Sequence, residues 1–127
     1  MNRSNEKGRR LAEELAAEYR PLSSLSDRGG GKLDAEVIVN ATSIGMYPHA
    51  GETPIPERAL PRGLTIMDIV PMPRRTRLLR EASRRGCKTI EGLEMLALQG
   101  VAQFEIWTGV KPDVKAIKKD LRQALGE

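Results

Sequence analysis

Apolar residues recur along this chain in two rhythms, and the changes between them mark out its elements. Leu11, Ala12, Leu15, Ala16 and Tyr19 repeat at spacings of three and four, with Arg9, Arg10, Glu13, Glu14 and Glu18 on the other faces, which predicts an amphipathic first helix. Ser4 or Asn2 stands where a helix cap belongs, and Pro21 closes the pattern. Leu22 to Leu25 predicts a short strand, and the Gly29-Gly30-Gly31 run a loop, because consecutive glycines fit no regular element. Val37-Ile38-Val39 is then a continuous β-branched run ending in Asn40, the pattern of a strand buried on both faces in a parallel sheet. Prolines 48, 54, 56 and 61 break residues 41–63 into an irregular stretch with at most one helical turn. Thr65 to Val70 predicts a second buried strand, stopped by Pro71 and Pro73. A helix follows with Leu78, Leu79 and Ala82 inward, the arginines of 74–85 outward and Gly86 at its C-terminal cap. Cys87 to Ile90 predicts a third strand, Leu93 to about Trp107 a longer helix, and Val114, Ile117, Leu121 and Leu125 stripe a last one after Pro112. Strands alternating with helices place the chain in the α/β class with a parallel sheet.

Composition narrows the functional classes. The 127 residues suit one domain, and at 39% hydrophobic and 30% charged they are an ordinary globular mix. Aromatics are 3%, so the core is aliphatic and the stacking platform of a single-strand nucleic-acid binder is missing. A net charge of +4 favours anionic ligands without identifying nucleic acid as a partner. Cys87 is the single cysteine and His49 the single histidine, which excludes an internal disulfide and argues against a metal centre or a histidine-based triad. No apolar run approaches the ~18–20 residues of a membrane span, and no signal-peptide core opens the sequence. The expectation is a cytoplasmic protein without a membrane partner.

Chemistry can sit at a few places. Asn2, Arg3 and Ser4 open the first helix with Lys7 one turn on; helix-end N–H groups, two cations and a hydroxyl suit a phosphate monoester, and equally a solvated cap. Thr42 and Ser43 leave the C-terminal end of a buried strand, where open α/β sheets bind ligands. Asp68 interrupts an apolar run; if buried it must be hydrogen-bonded, and a structural role is the simpler reading. Gln99 and Gln103 are polar positions on an otherwise apolar helix, either exposed or facing a polar ligand. The arginines of 74–85 read as a solvated face, and Cys87 as a small buried hydrophobe.

In order, Val-Ile-Val-Asn-Ala-Thr-Ser-Ile-Gly-Met-Tyr-Pro (37–48), Thr-Pro-Ile-Pro (53–56), Asp68, Thr76-Arg77-Leu78-Leu79, Gly92-Leu93-Glu94-Met95-Leu96, Gln99-Gly100 and Gln103 to Gly109 resemble the shikimate dehydrogenases over nearly the whole chain. Members of that family reduce 3-dehydroshikimate to shikimate with NADPH, using an N-terminal substrate domain and a C-terminal cofactor domain. The resemblance implies that Asn2, Arg3, Ser4 and Lys7 hold the 2′-phosphate of NADP, that Thr42 and Ser43 lie along the cofactor, and that the backbone of Ile69 and Gly92 meets the nicotinamide amide. It implies a substrate contact for Gln99. Pro71-Met72-Pro73 departs from the family's Tyr-Asn-Pro-like segment, whose tyrosine helps bind substrate.

The implied fold is a partial Rossmann domain, a doubly wound parallel sheet lacking its first strand and its glycine-rich loop. Residues 1–109 would be the C-terminal part of that domain, and 110–127 a helix that in the family packs toward the substrate domain. The family's catalytic lysine and aspartate belong to the substrate domain, so this chain carries no catalytic residue of its own. Three readings follow: the NADP-binding portion of a shikimate dehydrogenase, silent alone and binding NADP weakly or not at all; a split dehydrogenase completed by a separate N-terminal chain; or an interaction module using the basic 74–85 helix. Losing the central strand exposes apolar edges on strand 37–40, and the last helix loses its cover, so self-association is expected.

Overall fold

A computed structural model describes residues 4–25, 33 and 35–126. In it three short strands, β1 (Val37–Asn40), β2 (Thr65–Asp68) and β3 (Lys88–Ile90), form a parallel sheet in the order β1-β2-β3. Four helices accompany them among the described residues: α1 (Asn5–Glu14), α2 (Arg77–Arg84), α3 (Gly92–Thr108) and α4 (Val114–Ala124). Register runs from Val37 opposite Thr65 to Asn40 opposite Asp68, and from Thr65 opposite Lys88 to Met67 opposite Ile90.

Local chemistry sets the boundaries of α2, α3 and α4. The Thr76 hydroxyl caps α2 by accepting from the Leu79 N–H at 3.3 Å, and Gly86 leaves that helix with φ of 76°. Asp113 caps α4 by accepting from the Lys115 N–H at 2.9 Å, and Gly109 ends α3 in the left-handed region. Leu78, Leu79 and Ala82 of α2 press on Ile66 of β2, with Leu25, Ile55 and Leu60 completing the core. Burying each large side chain there contributes ~1.5–3 kcal/mol.

Five expectations are corrected. The segment Leu22–Leu25 is a 3-10 turn, not a strand: the Ser24 N–H and hydroxyl both bond the Pro21 carbonyl, which closes the backbone on itself. The first helix ends at Glu14 rather than running to Pro21; among the described residues Leu11 and Leu15 are left exposed, and Tyr19 instead folds back to donate to Asn5 Oδ1 at 2.6 Å. Strand β1 is not buried on both faces as its apolar run alone suggests; Val37 and Val39 are 56% and 52% exposed, in line with the exposed apolar edge expected of strand 37–40. The stripe of Val114, Ile117, Leu121 and Leu125 is half-buried, because α4 packs on α3 and Lys118 pairs with Glu94. The arginines are not simply solvated. Arg77 donates to Glu81 and to the Gly51 carbonyl, Arg84 to Glu57, and Arg85 to the Leu60 carbonyl. They fasten the irregular 41–64 connection to α2.

Candidate functional site

The C-terminal ends of β1 and β2 are joined through one buried carboxylate. Asp68 closes β2 with no exposure to solvent and accepts three hydrogen bonds: from Asn40 Nδ2 at 3.0 Å, from the Val70 N–H at 3.1 Å and from the Thr76 hydroxyl at 2.6 Å. Among the described residues no cation joins it, and desolvation raises its pKa above the ordinary carboxylate range despite the donors, led by Thr76. Asn40 carries the link onward. Its Oδ1 accepts from the Thr42 N–H at 3.1 Å and the Thr42 hydroxyl at 2.7 Å, while its amide also reaches the Ile44 carbonyl at 3.3 Å. This is a side-chain-closed turn that fixes residues 41–44 at the strand end.

Within that turn Thr42 and Ser43 divide their work. The Thr42 hydroxyl is committed, donating to Asn40 and accepting from the Ile44 N–H at 3.2 Å. Ser43 is exposed. Thr42 therefore builds the turn and Ser43 presents a hydroxyl from it.

Beside it, α3 begins against the exit of β2. A Cβ on Gly92 would lie 2.5 Å from the Val70 carbonyl oxygen and 2.7 Å from Ile69 C and O, distances no side chain tolerates. Glycine at 92 is thus what lets the helix start touch the 69–70 backbone. Arg74 Nε pairs with Glu91 Oε2 at 2.7 Å and braces the same junction. The Ile69 N–H is already used by the Asn40 carbonyl at 3.1 Å.

The structure thus places Thr42, Ser43, Ile69 and Gly92 at the C-terminal ends of β1 and β2 and at the start of α3 packed there. Gln99 is exposed on α3, seven residues and about 10 Å of helix beyond Gly92 on a similar face. Ser4 and Lys7 stand at the start of α1, whose Leu11 helps line a cleft of about 690 Å³ that also takes in β1, Thr42 and Arg20. Ser4 is the N-cap residue and Lys7 is exposed in the first turn, where Glu6 also stands. Asn2 and Arg3 lie outside the described residues. Sequence reading missed the fastening roles of Asn40, Thr76, Arg74 and Glu91. An asparagine directly at the end of an apolar strand, with an aspartate ending the next, was the signal for the first.

Among the described residues no group of three or more His, Cys, Asp or Glu side chains could hold a metal. No helix is long and apolar enough to cross a membrane. A dinucleotide fits what is present at its two ends: a small-residue edge where backbone can be approached, and an exposed lysine in the first turn of α1.

Residues 92–122 match the family model of the shikimate 5'-dehydrogenase C-terminal domain. Over 132 aligned residues the chain is 41% identical to shikimate dehydrogenase (NADP(+)) of Methanosarcina mazei, covering 98% of this chain and 46% of the relative. The protein of the same name from Archaeoglobus fulgidus is 42% identical over 128 residues, with 98% and 46% covered. Shikimate 5-dehydrogenase of Thermus thermophilus, solved with NADP(H) and shikimate, superposes with a TM-score of 0.85 at 35% identity, over 97% of this chain and 44% of that one. The chain spans less than half the length of these relatives. Its parallel α/β fold matches theirs, and the chain belongs to the shikimate dehydrogenase family, in the part that carries the C-terminal domain.

Proposed function

We propose that this chain supplies the NADP(H)-holding half of a cytoplasmic shikimate dehydrogenase-type oxidoreductase, and that the catalytic lysine and aspartate come from a substrate domain in the same polypeptide or in a separate one. The observation that carries this is the packing of Gly92 onto Ile69 and Val70 beside the Asn40-closed turn. It leaves backbone and the Ser43 hydroxyl, rather than side-chain bulk, at the strand ends where the family's nicotinamide would lie.

When bound, NADPH supplies the hydride that reduces 3-dehydroshikimate to shikimate. The chain's own residues bind and orient. Ile69 and Gly92 offer main chain to the carboxamide, Ser43 a hydroxyl along the dinucleotide, and Gln99 an amide toward a substrate oxygen. Lys7, with Asn2, Arg3 and Ser4, offers charge and donors to the 2′-phosphate that separates NADP from NAD. The arginines of α2 are engaged within the chain, so the interaction-module reading gains no support.

The isolated chain should show no NADP-dependent oxidation of shikimate and only weak or undetectable NADPH binding by calorimetry. Adding the substrate-domain half of the Archaeoglobus fulgidus relative as a separate polypeptide should bring binding, and Lys7→Ala should weaken it for NADPH more than for NADH. Turnover by the isolated chain would overturn the assignment of catalysis to the other half. Tight NADPH binding by the isolated monomer would show that these residues need no added phosphate loop.

A further inference from the structure

The hydrogen bonds at the strand ends run in one direction, and that direction decides what the turn after β1 can offer a ligand. Asn40 and Asp68 are register partners in the β1-β2 pair, and their side chains meet there. The Val70 N–H, a main-chain group that can only donate, sits on Asp68 Oδ1 at 3.1 Å. That oxygen is therefore an acceptor whatever the state of the carboxyl, and Asn40 meets it with its NH2 side at 3.0 Å. The Asn40 oxygen is thereby turned the other way, where the Thr42 N–H and hydroxyl donate to it at 3.1 and 2.7 Å. The Thr42 oxygen in turn accepts from the Ile44 N–H at 3.2 Å.

A hydroxyl has one proton and two lone pairs. Thr42 commits its proton to Asn40 and one lone pair to Ile44, which leaves one lone pair for the cleft that Thr42 helps to line. At this position the turn can accept a hydrogen bond and cannot donate one. Ser43 beside it is exposed, and its hydroxyl can do either. Thr76 holds the other oxygen of Asp68 at 2.6 Å and caps α2 through Leu79, so the carboxylate is tied to two different elements by separate atoms.

We propose that Asp68 is a positioning residue for the turn after β1, acting through Asn40. It holds the Asn40 amide so that Thr42 meets a bound dinucleotide with a lone pair alone. The group Thr42 takes is then a hydrogen-bond donor, a ribose hydroxyl or the carboxamide NH2, and never a phosphate oxygen. The identity of the ligand rests on the functional reading above; the positioning of the turn does not.

The test compares Asp68→Ala with Thr76→Val, which unties the same carboxylate from α2 and leaves its link to β1. In amide-exchange NMR of the full chain, Asp68→Ala should speed the Thr42 and Ile44 amides by about tenfold or more relative to those of β2. Thr76→Val should leave that ratio unchanged, which a role in stability alone would not. Asp68→Asn keeps an oxygen for Val70 and Asn40 and should restore the slow turn. Asp68→Ser still offers an acceptor to the Val70 N–H two residues on but is too short to reach Asn40, and it provides the same comparison should Asp68→Ala fail to fold. In the parent, the Asn40 side-chain amide protons should exchange about tenfold or more slower than those of the exposed Gln99. With the substrate-domain half of the Archaeoglobus fulgidus relative added, Asp68→Ala and Thr42→Val should each weaken NADPH binding by about tenfold or more, and Thr76→Val by less than about twofold. The 3-acetylpyridine analogue of NADPH, which lacks the carboxamide NH2, separates the two donors. Thr42→Val should weaken both ligands equally where Thr42 takes a ribose hydroxyl, and NADPH alone where it takes the carboxamide. The proposal is overturned if Asp68→Ala and Thr76→Val loosen the turn alike, if Asp68→Asn fails to restore it, if the Asn40 amide protons are fast in the parent, or if Thr42→Val binds NADPH as the parent does. A parent complex that takes up no NADPH defeats the functional reading and not the positioning, which the exchange comparison decides by itself.

Discussion

The two flanks of the β1-β2-β3 sheet are finished to different degrees. On the β2–β3 side, α2 covers Ile66 with Leu78, Leu79 and Ala82, all fully or almost fully buried, and the Asp68 carboxylate is matched by three donors. On the other side, Val37 and Val39 stand open and α1 shows Leu11 and Leu15 to solvent. The same contrast recurs along α3. Its first half buries Leu93, Ala97 and Val101, and its second half exposes Phe104, Ile106 and Trp107. A chain that closes one flank this completely has a core that can hold the strand ends in place. The open flank and the outer half of α3 are then the exposed apolar surfaces among the described residues. Stability and association should accordingly respond to different residues.

The hardest blow to the closed flank is Asp68→Ala. It leaves Asn40 Nδ2, the Val70 N–H and the Thr76 hydroxyl without their acceptor in a dry site, which should cost about 3–4 kcal/mol in urea unfolding. A loss below about 1 kcal/mol would mean that water reaches the network and that this flank is less closed than its burial indicates. Next is Gly92→Ala. The added Cβ must push α3 off Ile69 and Val70, at about 2–3 kcal/mol, and it should loosen the junction between the exit of β2 and the start of α3. A neutral outcome would show that the helix start slides freely and is no fixed cofactor edge.

A smaller and pH-dependent effect separates a buried carboxylate from an exposed one. Because burial raises the Asp68 pKa in the folded chain, its contribution is fully present below the unfolded carboxylate value of about 4. It is lost as pH rises through the folded value. Asp68→Asn cannot titrate, so its cost relative to the parent should be greatest in acid and shrink toward neutrality. Glu57 has the opposite sign: Arg84 lowers its pKa, and its contribution disappears as pH falls. Unfolding midpoints of the parent and Asp68→Asn between pH 3 and 7 decide this, and a cost that grows with pH would reverse the assignment.

What could be read from the sequence divides along the same line. Residues 37–40 and 65–68 were legible as strands from their short apolar runs and 88–90 from its place between a helix-capping glycine and the next helical pattern, and Gly86 and Pro112 punctuated the helices where expected. The stretch 22–25 was not, since four residues with leucines three apart satisfy a strand or a 3-10 turn equally, and the Pro21 carbonyl decides between them. The early end of α1 was hidden for a different reason. Periodicity records which face is apolar, and it is silent on whether another element lies there to cover that face. The site shows the same limit. Thr42 and Ser43 were legible from their place after an apolar strand and Ile69 and Gly92 by resemblance, but the commitment of the Thr42 hydroxyl to Asn40 depends on a turn that the pattern does not encode. Asp68 was recognisable as a buried polar residue, while its Thr76 partner, eight positions on, left no mark in the pattern.

The smallest effect on stability is expected on the open side. Ile106 and Trp107 are 80% and 77% exposed on the last turns of α3, so they make little contact within the folded chain. Replacing both with serine should shift unfolding by no more than about 0.5 kcal/mol, the usual range for surface changes. Their role should appear instead as concentration rises. With Phe104 and Val110 at its margin this is a contiguous exposed apolar surface, so self-association of the isolated chain should run through it. Sedimentation across a dilution series should show the parent moving between monomer and a larger species, and the double-serine variant remaining monomeric at concentrations where the parent does not. If the parent is a folded monomer throughout, the exposed half of α3 is not sticky enough to act alone. If the variant associates as the parent does, the contact lies elsewhere, with the exposed Val37 and Val39 of β1 the next surface to change, and the exposed half of α3 is not the associating face.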